Sequence, residues 1–353
     1  MTRIEKIQKK LDEKALDAIL LTSESNVRYA GQFAFTDGAV VVTRENGYLL
    51  TDSRYIEAAR AEAKDVEVLL FTAEKRLRDC VKEVLSGCKA VGAEEQRMPY
   101  AEWKDWEKHL ELELRPAEGI LAELRAVKDR GEIESLVKAQ RIAEQALEEI
   151  LNYIKPGVKE RDLAAELTYR MMLLGGEGNS FDPITITGAN TSKPHGVPGD
   201  AVVRAGDFVT MDFGTLWNGY HSDMTRTVAV GYATEEMKKV YNTVLEAQLK
   251  GISLMRAGTS GAEVHNAAAK VIADAGYGEY FGHGFGHSVG LEIHENPGAS
   301  HRNEKPLPAG AVVTAEPGIY LPGRFGVRIE DMILIGEDGP ENLTAAPKEL
   351  IIL

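Results

Sequence analysis

Sulfur chemistry is nearly absent: Cys80 and Cys88 are the only cysteines among 353 residues. They fall in a stretch that reads as a helix followed by a Ser-Gly turn. Neither a disulfide framework nor a thiolate metal site is indicated, and both are expected to be reduced and structural. Positive charge is also short. Lys and Arg total 41 against 55 Asp and Glu, a net −14. Nucleic acid and anionic membranes are therefore poor expectations, which leaves small or neutral partners. No apolar run approaches the roughly 20 residues of a membrane span. The N-terminus, Met1-Thr2-Arg3-Ile4-Glu5-Lys6, opens a charged amphipathic helix without an apolar signal core. A cytoplasmic location is expected.

What remains is a chain 44% hydrophobic, long enough for a large core and more naturally two domains than one. Residues 1 to about 122 alternate helical and strand patterns. Ile4 to Leu16 repeats apolar residues at helical spacing, and Ala18 to Leu21 reads as a short buried strand. Ala39 to Thr43 and Gly47 to Leu50 flank the turn Arg44-Glu45-Asn46 as a hairpin. Tyr55 to Ala63 reads as helix, Val66 to Phe71 as strand, Arg76 to Leu85 as helix and Ala90 to Ala93 as strand. This is an α/β domain with a mixed sheet and no clustered catalytic residue types, a platform or a lid. A boundary is expected near residue 125, after which a long amphipathic helix runs from about Glu132 to Ile154, ended by Lys155-Pro156-Gly157.

Beyond that boundary the sequence repeats itself weakly. Pro156-Gly157, Asp162-Leu163 and Gly175-Gly176 are echoed 101 positions later by Ala257-Gly258, Glu263-Val264 and Gly276. Gly206-Asp207-Phe208-Val209-Thr210-Met211-Asp212-Phe213-Gly214 matches Gly310-Ala311-Val312-Val313-Thr314-Ala315-Glu316-Pro317-Gly318 at an offset of 104. Two similar halves, each a helix pair feeding strands, would pack about a pseudo-two-fold axis, with Asp212 and Glu316 at equivalent positions facing one another. Asp223 begins another strand pattern, and Glu330 sits inside the apolar run Val327 to Ile335. Carboxylates amid such runs are costly to bury unless a cation compensates them.

The stretch Gly282-His283-Gly284-Phe285-Gly286-His287-Ser288-Val289-Gly290-Leu291-Glu292-Ile293-His294-Glu295 holds three of the eight histidines. Its glycines give up local stability, which implies that backbone comes close to a ligand or another chain. Four carboxylates with His287 would bind two divalent ions. Oxygen-rich ligation with one imidazole suits Mn²⁺ and also accepts Co²⁺, Fe²⁺ or Zn²⁺.

The ordered series Met211 to Gly214, Ser222 to Thr227, Gly282 to Glu295, Glu316-Pro317-Gly318-Ile319-Tyr320 and Arg328-Ile329-Glu330-Asp331 closely resembles the pita-bread metallopeptidases of family M24: aminopeptidase P, prolidase and methionine aminopeptidase. Residues 1 to 122 resemble the creatinase/prolidase N-terminal domain, with Asn26-Val27-Arg28-Tyr29 and Thr51-Asp52-Ser53-Arg54-Tyr55 in place. The resemblance implies an α/β (α+β) chain with a creatinase/prolidase-like domain over residues 1–125 and a pseudo-two-fold pita-bread catalytic domain over residues 126–353.

It further implies that Asp212 chelates one metal, that His287 and Glu316 hold the other, and that Asp223 and Glu330 bridge both. His195, His283 and His294 match the family's non-ligand histidines, catalytic and substrate-orienting. Arg328 and Tyr320 match positions of substrate contact or support. Glu316 is the expected proton shuttle, and a hydroxide made available by the paired ions is the expected nucleophile.

The implied activity is exopeptidase action on substrates with proline at the second position, either dipeptides (prolidase) or longer peptides (aminopeptidase P). A homodimer is implied too. A methionine aminopeptidase is disfavoured by the additional N-terminal domain, creatinase by the complete ligand set, and a non-enzymatic binding module by the same retention of ligands. In a dimer the loop run Tyr29 to Phe35 could close over the partner's active site, so that Phe33 and Phe35 limit substrate length; the alternative reading is that the N-terminal domain only stabilises the dimer.

Overall fold

The computed structural model describes residues 1–353, which divide into two compact units, Met1–Arg125 and Ala126–Leu353. In the first, Thr2 and Glu5 form a reciprocal capping box that starts the helix Arg3–Glu13. Its buried residues Ile4, Ile7 and Leu11 share one face. A six-stranded mixed sheet runs in the order Glu67–Leu70, Gly47–Thr51, Gly38–Thr43, Ala18–Leu21, Val91–Ala93, Leu114–Pro116. The expected hairpin is present, with Gly38–Thr43 antiparallel to Gly47–Thr51. Every residue of Ala18–Leu21 is buried, and because side chains alternate along a strand, both faces there must be covered. The expected helices are present as Ile56–Glu62 and Leu77–Val84, and three more, Glu24–Gly31, Tyr100–Leu110 and Glu118–Ala126, complete the unit. Cys80 and Cys88 are unpaired, and burial pushes both thiols up.

The expected gating loop is not found. Tyr29, Ala30 and Gly31 end a helix, and Phe33 and Phe35 are each only 7% exposed, stacked on one another at 5.9 Å. Two rings buried in their own unit cannot serve as a free wall for substrate. Phe35→Ala is instead expected to cost about 3–5 kcal/mol of stability, as removal of a core ring does. Thermal unfolding measures it, and an unchanged midpoint would return Phe35 to a surface role.

In the second unit the long helix spans Arg130–Leu151, beginning two residues before and ending three before the expected limits. The start is moved by Asp129: its side chain accepts from the Glu132 amide while Glu132 accepts from that of Asp129. The repeat is structural. Helices Arg130–Leu151 and Glu160–Leu173 precede an antiparallel sheet in the order Met224–Ala229, Phe208–Phe213, Ile184–Thr187. Helices Glu235–Ile252 and Gly261–Asp274 precede Asp331–Ile335, Val312–Ala315 and Gly286–Ser288 in the same order, with Pro340–Asn342 and Glu295–Ala299 added at the edges.

One expectation about this unit needs correcting. Glu330 does not lie within a strand. The run breaks after Phe325–Arg328, which pairs with Gly318–Leu321, and resumes at Asp331. At the break the Glu330 amide donates to the Thr225 carbonyl at 3.1 Å, tying one half of the repeat to the other.

Candidate metal centre

Each carboxylate is set by the end of a strand. Asp212 is the penultimate residue of Phe208–Phe213, and Glu316 is one residue beyond Val312–Ala315. Asp223 and Glu330 each immediately precede a strand, Met224–Ala229 and Asp331–Ile335. The repeat thus places two pairs of equivalent acids together. They line a cavity of about 540 Å³ with His195, His283, His287, His294 and Arg328. Nine of the ten candidate side chains therefore meet there; the tenth, Tyr320, does not reach the cavity wall. Its hydroxyl accepts from Arg328 Nη1 and lies against His283 Nε2, both at 2.9 Å.

His287 presents the right face to this cluster. Its Nδ1 lies 3.1 Å from the Ser288 carbonyl, an acceptor, so the proton belongs on Nδ1 and the Nε2 lone pair points inward. That lone pair meets Asp223 Oδ2 at 3.6 Å and Glu316 Oε1 at 3.4 Å. Donor atoms of Asp223, His287 and Glu330 all lie within 4.8 Å of one another. Asp212 Oδ1, Asp223 Oδ1 and Glu330 Oε1 are buried without hydrogen-bond partners. Acceptors facing acceptors in a buried site are costly unless cations sit between them. The residues present therefore fit divalent metal.

Protonation follows from the same crowding. Burial first, then the neighbouring carboxylates, pushes Asp223 and Glu330 well above the usual carboxylate range. Burial also raises Glu316 to about 7, opposed by the Arg328 charge. Arg328 is ion-paired with Asp212 and donates from Nε to Thr225 Oγ1 at 3.1 Å. His283 is lowered to about 4 by burial and then by Arg328, so it is neutral. Its Nδ1 donates to the Gly284 carbonyl at 2.8 Å and its Nε2 accepts from Tyr320. With both nitrogens engaged, His283 offers the cavity its ring rather than a free donor.

The sign of the metal-free chain's pH dependence is fixed by these shifts. The folded pKa of Glu316 is raised from 4.5 to about 7. Its contribution to stability is full below about 4.5 and is lost as pH rises through about 7. Asp223 and Glu330 act in the same direction. The chelated protein is therefore expected to lose thermal stability from about pH 5 to 8, while metal, which binds the deprotonated forms, reverses that trend. Glu316→Gln should flatten the metal-free slope; an undiminished slope would place the titrating group elsewhere.

Glycine is required by close backbone approach at two sites. A Cβ on Gly286 would lie 1.8 Å from the Thr314 carbonyl, and one on Gly214 would lie 1.8 Å from that of Ser222. The close approach at Gly286 is to the chain's own strand, and Gly284 and Gly286 also line the cavity.

Several site-building residues are invisible to a motif reading. Thr225 donates to Glu330 Oε2 at 2.7 Å, and Thr314 donates to Glu316 Oε1 at 3.2 Å while accepting from the His287 amide. The repeat could have revealed Thr314, since it matches Thr210 at the same offset. Glu160, fully buried, accepts from the Thr187 and Gly199 amides and from Asn190 Nδ2, bracketing the segment that carries His195. Glu160→Gln puts an N–H where those donors point. It is expected to cost about 1–3 kcal/mol and to speed hydrogen exchange at Thr187 and Gly199; unchanged exchange would remove Glu160 from this role. Phe181, Ile184 and Ile293 supply an apolar part of the cavity wall.

Residues 134–337 match the Metallopeptidase family M24, and residues 3–127 match the Creatinase/Prolidase N-terminal domain. The chain belongs to metallopeptidase family M24. It is similar to a solved Xaa-Pro dipeptidase from Bacillus anthracis, at 41% identity and a TM-score of 0.96, covering 99% of each chain. An X-Pro aminopeptidase structure from Thermotoga maritima gives 34% identity and 0.93, covering 98% of this M24 chain and 100% of that one. A curated Xaa-Pro dipeptidase from Pyrococcus horikoshii is 37% identical over 99% of this chain and 98% of that protein. The second unit is accordingly the M24 pita-bread domain, preceded by the creatinase/prolidase-type domain, and divalent metal is what the family implies for the cluster. No helix is long and apolar enough to cross a membrane.

Proposed function

We propose that this chain is a dinuclear-metal exopeptidase that cleaves the bond between the first residue and a proline at the second position, in dipeptides or longer peptides. The observation that carries the reading is that Asp212, Asp223 and Glu330 each keep a buried oxygen without a donor, beside His287 and Glu316, at one cavity with an apolar wall. The names of the M24 relatives, Xaa-Pro dipeptidase and X-Pro aminopeptidase, support the substrate class. The full ligand set and the N-terminal domain speak against a binding module and against a methionine aminopeptidase.

Asp212 would serve one ion, His287 and Glu316 the other, and Asp223 and Glu330 both. When bound, such a pair lowers the pKa of water towards neutrality and polarises a carbonyl. The remaining steps belong to side chains. Phe181, Ile184 and Ile293 receive the proline ring by apolar contact, which excludes water from the scissile bond. Glu316 takes the proton of the attacking water on a carboxylate oxygen and returns it to the proline nitrogen, which has no N–H of its own. His294 donates to the oxygen that becomes negative. His195, on an exposed turn at the cavity, orients the substrate. Arg328 and Tyr320 hold His283 and Asp212 in place.

Manganese as the native ion and a homodimer as the assembly go with the same proposal. Ala-Pro, Ala-Pro-Ala and a longer Xaa-Pro peptide, each assayed with Mn²⁺, Co²⁺ and Zn²⁺, test it, with light scattering for the assembly. Release of N-terminal alanine alone, faster from Ala-Pro than from Ala-Ala, is expected. A metal-replete protein that cleaves none of these, or prefers Ala-Ala, would overturn it.

A further inference from the structure

We propose that His265 and His301 form a separate two-imidazole site for a borderline transition-metal ion: Zn²⁺, Ni²⁺ or Cu²⁺. A second cavity of about 390 Å³ shares the His283-Gly284 segment with the catalytic one, and both histidines line it. His265 comes from the helix Gly261–Asp274, and His301 from the turn after the strand Glu295–Ala299. Their ring centres lie 5.6 Å apart at 55°. An imidazole nitrogen binds Zn²⁺ at about 2.0–2.1 Å, so two rings sharing one tetrahedral ion have centres roughly 5 Å apart. The observed centre spacing is close to that, and a turn of the rings would bring one nitrogen of each to a common ion.

His265 is only 9% exposed, yet its Nδ1 is buried without a hydrogen-bond partner. Orphaned buried polar atoms are uncommon in folded proteins and call for a cause. Burial and the neighbouring His301 both lower its pKa, which favours the neutral imidazole, a metal ligand rather than an anion binder. No carboxylate lines this cavity, whose other polar side chains are His283, Ser300 and Arg302, so hard, carboxylate-seeking Mn²⁺ or Mg²⁺ is disfavoured, whereas an ion that accepts imidazole nitrogen finds His265 and His301.

The two rings are held in register by backbone. The Ala262 amide donates to the Asn303 carbonyl at 2.8 Å, and Asn303 Nδ2 donates to the Gly298 carbonyl at 2.7 Å. Helix and turn are thus joined beside the site. Phe281 stacks on His265 at 5.4 Å and meets His283 edge-on at 5.1 Å. An ion that reorients His265 therefore presses, through one ring, on a wall of the catalytic cavity. Excess ion is expected to inhibit, a consequence that rests on the proposed peptidase activity.

Full-length protein saturated with Mn²⁺ is dialysed against graded Ni²⁺, and total metal per chain, Mn plus Ni, is counted. Wild type should gain one ion beyond its Mn²⁺-only content. H265F, which keeps a ring against Phe281, and H301A, at an exposed position, should gain it only at Ni²⁺ concentrations more than about 100-fold higher, beyond the range of an outer-shell change. Equal gain and equal affinity in all three proteins would overturn the site, and H301A decides if H265F fails to fold. An extra ion that leaves Ala-Pro cleavage unaffected would overturn the inhibitory coupling. The metal count is read without any activity, so it stands or falls apart from the peptidase assignment.

Discussion

Asp223→Asn is expected to lower metal affinity and turnover together, each by more than about 100-fold, beyond the range of an outer-shell change. It should also raise the thermal stability of the chelated protein. The two effects have opposite sign for one reason. Asp223 faces the His287 lone pair at 3.6 Å and carries a buried oxygen with no donor. In the metal-free chain its charge is held against burial and against Asp212 and Glu316, which is why its pKa is pushed well up. An amide relieves that repulsion. With cations present the balance inverts, because a neutral amide cannot supply charge for two ions to share. Metal analysis, peptide turnover and the unfolding midpoint in chelator give three readings on one variant. Full occupancy with normal activity would end the bridging assignment, and an unchanged chelated midpoint would show that the cluster does not strain the metal-free fold.

Much of this site was legible because a repeat converts single acids into pairs. Asp212 and Glu316 lie 104 positions apart at matching strand ends, and the segments around them share Gly, Val, Thr and Gly in register. Capping was legible for a similar reason. Thr2 and Glu5, or Asp129 and Glu132, stand at the spacing at which side chain and backbone satisfy one another. At the second, the apolar period of the long helix, which begins at about Glu132, is a stronger signal than the cap at Asp129.

What stayed hidden depends on contacts between segments far apart in sequence. The break before Glu330 is set by the Thr225 carbonyl, 105 residues away by numbering, and nothing in Val327 to Ile335 announces it. Phe33 and Phe35 stand beside Gly31 and Thr36 in a run that reads as a loop. Their burial is a tertiary fact, as is the approach of Gly286 to Thr314. Glu160 is a buried acid at the start of a helix, where a carboxylate would be expected on dipole grounds alone. Its three donors come from a segment that acquires a position only in the fold. Tyr320 shows the converse: its motif is plain in the sequence, whereas the meeting of Arg328 and His283 at its hydroxyl is a tertiary fact.

His294→Ala is expected to keep the metal and lose about 10²–10³-fold in turnover, the usual cost of one oxyanion donor. The ring lines the cavity and meets His287 in a T-shaped contact at 4.4 Å, yet it lies outside the trio Asp223, His287 and Glu330 whose donor atoms converge. Burial and the neighbouring His287 lower its pKa, so near pH 7 it is a neutral imidazole with one N–H to give. Its position is enforced from behind. Glu295, the next residue, is paired with Lys128 at 2.9 Å, and the two side chains are only 6% and 1% exposed. A buried pair of this kind resists loss of either member and anchors the segment that holds His294. The loss should therefore fall on turnover, with metal content and unfolding midpoint close to wild type. His294→Gln, which restores an N–H of similar reach, should recover part of the rate. Loss of metal in the alanine variant would make His294 a ligand, and full turnover would remove it from the mechanism.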